Sequence, residues 1–513
     1  MSESTLKPFD SLGGLDMTHH SQTIVPEHLA NFLAPTSLYI DGKWQDGAGV
    51  FPVYNPADGS VVAEVANCTA DHAKAALDAA DRAQLSWRKL APRKRANLMH
   101  AAHRLMLERE DAFVRVMTLE SGKPLTEARA EFHLSADFLL WFAEQVAHLH
   151  GTYSSSSDGG FRIVVAHQPV GPCLLITPWN FPLLMIVRKA GAALAAGCTT
   201  ITKTAQETPL TGALFTQVLH DAGFPAGVAN LLHTQTSAAV SDTLLQDPRL
   251  RKVSFTGSTR VGAHLMKLGA ENIVNSSMEL GGDGPFIVLD DANVDLAVDQ
   301  AIICKFRNAG QACVAANRII VDRRVESEFT QKFLSKVKAL KVGNGLEAVD
   351  VGPMISAKQR DRLYDTISDL TRAGGQILTG GRAVQSPGYF FEPTVIRFDS
   401  PNQVMCSNEL FAPIATIFAV DGVAEALSFA NDSKFGLASY VFTNDLTRAI
   451  AIGEELEFGM VGINRGIMAD PAAPFGGTKA SGTGREAGHE GIYEFLESKY
   501  MAVTVGEPNE VLR

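Results

Sequence analysis

The sequence predicts an α/β fold, in which twisted and largely parallel sheets are covered by helices. Two observations point there. Between residues 173 and 268, short runs rich in Val, Ile, Leu and Thr alternate with longer stretches of helical spacing. A second alternating region follows from Phe286 to about Val441, and no repeat of short period interrupts either region. The chain has 513 residues, 46% of them hydrophobic, enough to bury large cores in about two or three domains.

Each element has its own justification. Residues 38–44 read as a strand entering a turn, and 70–89 and 93–122 carry Ala, Leu and Met at helical spacing. Residues 151–167 read as a polar-rich hairpin around Ser157-Asp158-Gly159-Gly160, either a surface ribbon or an arm reaching another subunit. Then strands at 173–177, 199–203, 229–233 and 252–255 alternate with helices at 183–196, 208–223, 237–245 and 258–268. Sheets of this kind bind ligands beyond the carboxyl ends of their strands. In the second region, 286–289 and 318–321 are the clearest strands.

Composition excludes several classes. A net charge of -11 argues against a nucleic-acid surface, which needs a basic patch. The most apolar long stretch, 171–187, is broken by Pro172, Pro178 and Pro182, so no membrane span is expected. The polar start, with His19 and His20, lacks a basic segment followed by an apolar run; a cytoplasmic protein with a flexible arm over 1–35 is expected. Cys68, Cys173, Cys198, Cys304, Cys313 and Cys406 are scattered without Cys-x-x-Cys spacing. They read as reduced thiols, and no metal site is expected.

Chemistry concentrates in a few places. Cys313 lies 34 residues (313 − 279) after Glu279, which is followed by Leu280-Gly281-Gly282. A thiol that attacks a carbonyl and a carboxylate that activates water suit a two-stage reaction. The turn from Phe255 to Gly262 follows a strand and opens a helix, so its N–H groups at Gly257 and Ser258 suit a pyrophosphate. Lys203 ends a neighbouring strand. Thr177-Pro178-Trp179-Asn180-Phe181-Pro182 fixes an amide between two prolines, a rigid donor for an oxyanion. Each feature alone has a plainer reading: an inert buried thiol, a steric glycine, a solvated lysine, an asparagine satisfying its own loop.

Together, Pro178-Trp179-Asn180-Phe181-Pro182, the Phe-Thr-Gly-Ser turn, Glu279-Leu280-Gly281-Gly282, Gly310-Gln311-Ala312-Cys313 and Pro474-Phe475-Gly476-Gly477, with Ser481 to Glu486 beyond it, resemble the aldehyde dehydrogenase superfamily, in matching order from about Thr36 to Val505. The resemblance implies a Rossmann-type cofactor domain (36–150 and 170–281), an α/β catalytic domain (282–480) and a small β oligomerisation element (151–169 and 495–508). It implies Cys313 as nucleophile, Asn180 with the Cys313 N–H as oxyanion hole, and Glu279 as the base that hydrolyses the thioester to a free acid. Lys189 and Glu486 match positions assisting proton movement. Thr177, Trp179, Lys203, Gln206, Gly257, Ser258, Glu409 and Phe411 match cofactor positions, and a homodimer or homotetramer is implied.

Lys305-Phe306-Arg307-Asn308 and Ala316-Asn317-Arg318 resemble the succinate-semialdehyde dehydrogenase branch, in which Arg188 and Arg307 match binders of a substrate carboxylate. Arg465 adds a cation, with Phe475 lining the same pocket. Ala469 stands where the branch usually has serine, which leaves room for a different or longer acid semialdehyde, such as glutarate or 2-oxoglutarate semialdehyde. Gln206 replaces a glutamate frequent in NAD-preferring relatives, so NADP is expected to be accepted, with NAD also possible. Other readings are a non-catalytic binding protein on the same scaffold and a hydrolase using Cys313 without redox chemistry.

Overall fold

The computed structural model describes residues 34–401 and 409–505. The expected arm lies almost wholly outside the described residues, with His19 and His20, and Cys406 is outside them too.

Eight strands form the first sheet, in the order Lys43–Gln45, Leu38–Ile40, Ala229–Leu232, Thr200–Lys203, Cys173–Ile176, Lys252–Thr256, Asn275–Glu279 and Gly482–Thr483. The five from Ala229–Leu232 to Asn275–Glu279 are parallel. The chain builds outward from Cys173–Ile176 in one direction, then returns to its other side with Lys252–Thr256. Beyond the carboxyl ends of these two strands lies the switch point, where such sheets open a crevice. Thr177 to Asn180 follow one strand and Gly257 and Ser258 the other.

The second sheet has seven strands: Gln376–Thr379, Thr394–Phe398, Ile414–Val420, Ala316–Asp322, Gly284–Val288, Ala438–Phe442 and Met460–Ile463. All pair in parallel except the edge strand Gln376–Thr379. A third sheet joins Thr152–Ser155, Arg162–Pro169 and Leu496–Val503 in antiparallel register, confirming the hairpin and adding the distant strand that pairs with it. One apolar cluster runs from Trp87 and Phe132 through Ile186 and Leu194 to Ile320 and Phe418, so both large sheets share a core. A second cluster, with Leu174, Val253 and Leu265, covers the other face of the first sheet.

Two expectations change. The helical span 93–122 is two helices, Pro92–Glu108 and Glu110–Ser121, interrupted at Arg109. Glu110 and Asp111 then open the second helix, where its dipole favours negative charge. The helix Leu125–Gln145, absent from the sequence reading, buries Phe132, Phe138 and Phe142 and packs on the helix Pro182–Ala196. No helix among the described residues is long and apolar enough to cross a membrane, and no group of His, Cys, Asp or Glu among them suits a metal ion.

Candidate active site

The distant motifs meet around two glycines. A Cβ added at Gly282 would overlap the Cys313 carbonyl oxygen, and one at Gly281 would lie 3.0 Å from Glu409 Oε2. The loop after Glu279 thus approaches both the thiol segment and Glu409, an approach that only glycine permits. The Gly282 N–H donates to Glu409 Oε1 at 3.1 Å. Pro474-Phe475-Gly476 closes the other side, where a Cβ at Gly476 would meet Glu279 Oε1 at 2.9 Å.

Glu279 is buried, and neither of its carboxylate oxygens has a hydrogen-bond partner. Burial, and then the nearby Glu486 charge, push its pKa well above the ordinary value; Arg188, Lys189 and Arg485 pull the other way. Burial likewise raises the Cys313 thiol to about 12, helped by Glu409 and Glu279. Both shifts favour the protonated forms of the acid and the thiol.

Asn180 follows the strand Cys173–Ile176 and is buried. Its Nδ2 donates to the Gln311 carbonyl at 3.1 Å, which orients the amide and leaves one N–H for another acceptor. Its own carbonyl accepts from Lys123 Nζ at 2.7 Å and from Asn308 Nδ2 at 2.9 Å. Lys123 pairs with Glu131, both fully buried. Glu131 Oε1 also accepts the Leu183 and Leu184 N–H groups at 3.0 and 3.2 Å, satisfying otherwise orphaned donors at the start of the helix Pro182–Ala196. Between Arg307 and Cys313 the backbone is strained. Asn308, Ala309 and Gly310 have φ of 53, 54 and 69°, and the first two lack the freedom of glycine. Glu127 Oε2 accepts the Asn308 N–H at 2.8 Å.

The sequence missed Lys123, Glu127, Glu131, Asn308 and Gln311. A signal existed: Glu131 sits at helical spacing with buried Ser135, Phe138 and Phe142, placing a carboxylate on an apolar face.

On the helix Pro182–Ala196, Lys189 Nζ pairs with Glu486 and donates to Ser254 Oγ at 3.1 Å. Burial would raise the Glu486 pKa, but Lys189 and Arg188 overrule it and hold it low. Arg188 corrects an expectation. Read as a direct anchor for a substrate carboxylate, it is 1% exposed; its Nε donates to Glu486 Oε2 at 2.6 Å and its guanidinium lies 4.0 Å from the centre of the Phe475 ring. An internal carboxylate, shared with Lys189, already pairs with it. Arg307, by contrast, is half-buried, makes no ion pair among the described residues and lies 5.2 Å from the centre of the Phe181 ring. Arg465 is exposed and donates to Ile467 O at 2.9 Å within its own loop. Ala469 is only partly buried.

The cofactor candidates gather at the switch point. Lys203 is buried with no ion pair among the described residues, and burial lowers its pKa to about 8. The Thr177 N–H donates to Lys203 O at 3.2 Å. Ser258 caps the helix Thr259–Gly269, yet its exposed side chain makes no capping bond, and the Thr256 hydroxyl is buried without a partner. Gly257 continues that turn. An unpaired buried cation, an orphaned hydroxyl and a helix start suit a dinucleotide. Gln206 is exposed and donates to Glu207 Oε1 at 3.2 Å. Trp179 and Phe411 meet edge to face at 5.4 Å, and burial raises Glu409 to about 7.

Residues 44–501 match the aldehyde dehydrogenase family, to which this chain belongs as an oxidoreductase enzyme. A succinate-semialdehyde dehydrogenase of Paenarthrobacter nicotinovorans is 46% identical over 444 residues, 86% of this chain and 99% of that protein. A glutarate-semialdehyde dehydrogenase of Pseudomonas aeruginosa is 42% identical over 468 residues, 91% of this chain and 97% of that protein. The crystal structure of an NADP-dependent enzyme of E. coli superposes with a TM-score of 0.90 at 42% identity, covering 92% of this chain and 98% of that one.

Proposed function

We propose that this enzyme oxidises an aldehyde bearing a carboxylate, succinate semialdehyde or a related acid semialdehyde such as glutarate semialdehyde, to the free acid. Arg307 carries the substrate reading: it is a partly exposed guanidinium beside the thiol segment that makes no ion pair among the described residues. Both named relatives act on acid semialdehydes.

In this reading the partly exposed Cys313 thiol gives its proton to solvent, the sulfur as thiolate forms a bond to the aldehyde carbon, and the carbonyl oxygen takes up the negative charge as the C=O π bond breaks. The remaining Asn180 N–H and the Cys313 N–H receive that charge, an interaction worth about 2.7–4 kcal/mol per donor. A bound NADP or NAD would supply the acceptor for the hydride that leaves the adduct carbon. Glu279, which must first release its own proton, takes as carboxylate a proton from water; the water oxygen bonds to the thioester carbon, the carbon–sulfur bond breaks, and the Cys313 thiolate and the acid are released. Lys189 and Glu486 carry protons away from the pocket, and Arg188 holds Glu486 in place. Lys203, Thr177, Gly257, Ser258, Gln206 and Glu409 would hold the dinucleotide, with Trp179 and Phe411 beside its nicotinamide end. Uncharged Gln206 does not repel a 2′-phosphate, which supports NADP, as does the E. coli relative.

The first and second sheets divide these tasks between a cofactor unit (36–150 and 170–281) and a catalytic unit (282–480). The three-stranded sheet serves assembly into a homodimer or homotetramer, and the enzyme works in the cytoplasm. The decisive experiment compares Michaelis constants for an acid semialdehyde and an alkyl aldehyde of equal length. Arg307→Ala should raise the first by about tenfold or more, as expected for losing a charge-assisted bond of about 1.5–3 kcal/mol, and leave the second nearly unchanged. Equal effects on both would remove the carboxylate from the proposed substrate.

A further inference from the structure

Arg307 opens the arch that leads to Cys313, and three successive left-handed residues, Asn308, Ala309 and Gly310, form that arch. A backbone so disfavoured for asparagine and alanine persists only where its surroundings hold it. Several bonds do so. Gln311 donates to Asn308 O at 3.1 Å and to Pro353 O at 3.3 Å, and Asn308 Nδ2 reaches Asn180 O at 2.9 Å. These tie the side chain and carbonyl of Asn308, and Gln311 beyond it, to their surroundings. At the Arg307 end, the Asn308 N–H is held by Glu127 Oε2, from the first turn of the helix Leu125–Gln145.

Glu127 makes no ion pair among the described residues, although its carboxylate feels the charges of Lys123 and Arg307. Its hydrogen bond goes to the peptide next to Arg307, and so it bears on that side chain through the backbone. Lys123 Nζ and the Arg307 guanidinium lie 4.5 and 5.2 Å from the centre of one ring, Phe181, so Arg307 is located by two contacts: the ring and the arch. Removing the Glu127 acceptor leaves the Asn308 N–H unpaired, so the peptide that joins Arg307 to the arch is held only through the Asn308 side chain and carbonyl.

We infer that Glu127 is a positioning residue for substrate selection, holding the arch so that Arg307 stands where the carboxylate of the aldehyde binds. This rests on the reading of Arg307 given above. Glutamine keeps an acceptor oxygen and alanine does not, so the two variants separate positioning from charge.

The test measures steady-state kinetics of the full chain with an acid semialdehyde and an alkyl aldehyde of equal length, at saturating cofactor. Glu127→Ala should raise the Michaelis constant for the acid semialdehyde by about tenfold, with the alkyl aldehyde shifting by less than about twofold. Glu127→Gln should restore the acid semialdehyde value to within about threefold of the parent enzyme. A Glu127→Ala enzyme that weakens both substrates alike, or neither, overturns the inference. Should Glu127→Ala fail to fold, Glu127→Asp takes its place: a selective rise supports positioning, and unchanged constants overturn it. Arg307→Ala in the same panel keeps the two readings apart. Selective loss in Arg307→Ala without selective loss in Glu127→Ala sinks the Glu127 inference alone. No selectivity in either sinks both.

Discussion

Glu279 is buried and Cys313 partly so, and both hold their protons more tightly than the free side chains do. Glu279→Gln should give a single-turnover burst of reduced cofactor and then stall, because the first stage needs only the thiol; sustained turnover in a stopped-flow trace would contradict its role. The same residue governs stability. Its pKa in the folded protein is raised above the ordinary 4.5, so the folded state keeps a proton that the unfolded chain releases. The stabilising contribution is therefore complete below about 4.5 and declines as pH rises, by at most about 1.4 kcal/mol per pH unit. Glu279→Gln has no such proton to lose. Its melting temperature should gain on the parent enzyme as pH increases from 5 to 8, and a constant difference would show that Glu279 is ionised at rest. The individual motifs were readable because glycine, proline and cysteine stand in unusual local sequences. Partners were harder: nothing near Arg188 in the chain announces Glu486, 298 positions away.

At the scale of elements, the helix Leu125–Gln145 joins substrate, oxyanion and helix-start functions through Glu127 and Glu131. Sequence reading found the alternating strands and helices because a period of two or 3.6 persists through each. It passed over this helix, whose carboxylates interrupt its apolar face. Lys123→Met tests the element. It leaves Glu131 buried without its cation and should destabilise the fold by about 3–5 kcal/mol, read by chemical denaturation. Adding Glu131→Gln, which keeps an acceptor for Leu183 and Leu184, should recover much of that stability. Turnover should stay depressed in the double variant because the Asn180 carbonyl still lacks the lysine. Full recovery of turnover would show that Lys123 does not support Asn180.

At the scale of the molecule, the three-stranded sheet has little to cover it. Tyr153, Tyr500, Met501 and Val503 are large, apolar and exposed on it. Tyr500→Asp combined with Met501→Asp should shift the light-scattering mass toward a single chain, with the melting temperature falling as assembly is lost; an unchanged mass would place the subunit contact elsewhere. The hairpin was legible from its turn residues, whereas the strand Leu496–Val503 that completes the sheet came only from the family resemblance, which placed 495–508 in the same β element. Its partner lies more than three hundred residues earlier, and pairing at that range leaves no local periodic trace.

Glu486, which pairs with both Arg188 and Lys189, lies 173 residues (486 − 313) after Cys313, and Gly482–Thr483 closes the sheet edge beside Glu279. The pocket thus draws one wall from a segment remote in the chain. A protein cut between Cys313 and Gly482 keeps the thiol but loses the carboxylate that Arg188 and Lys189 share.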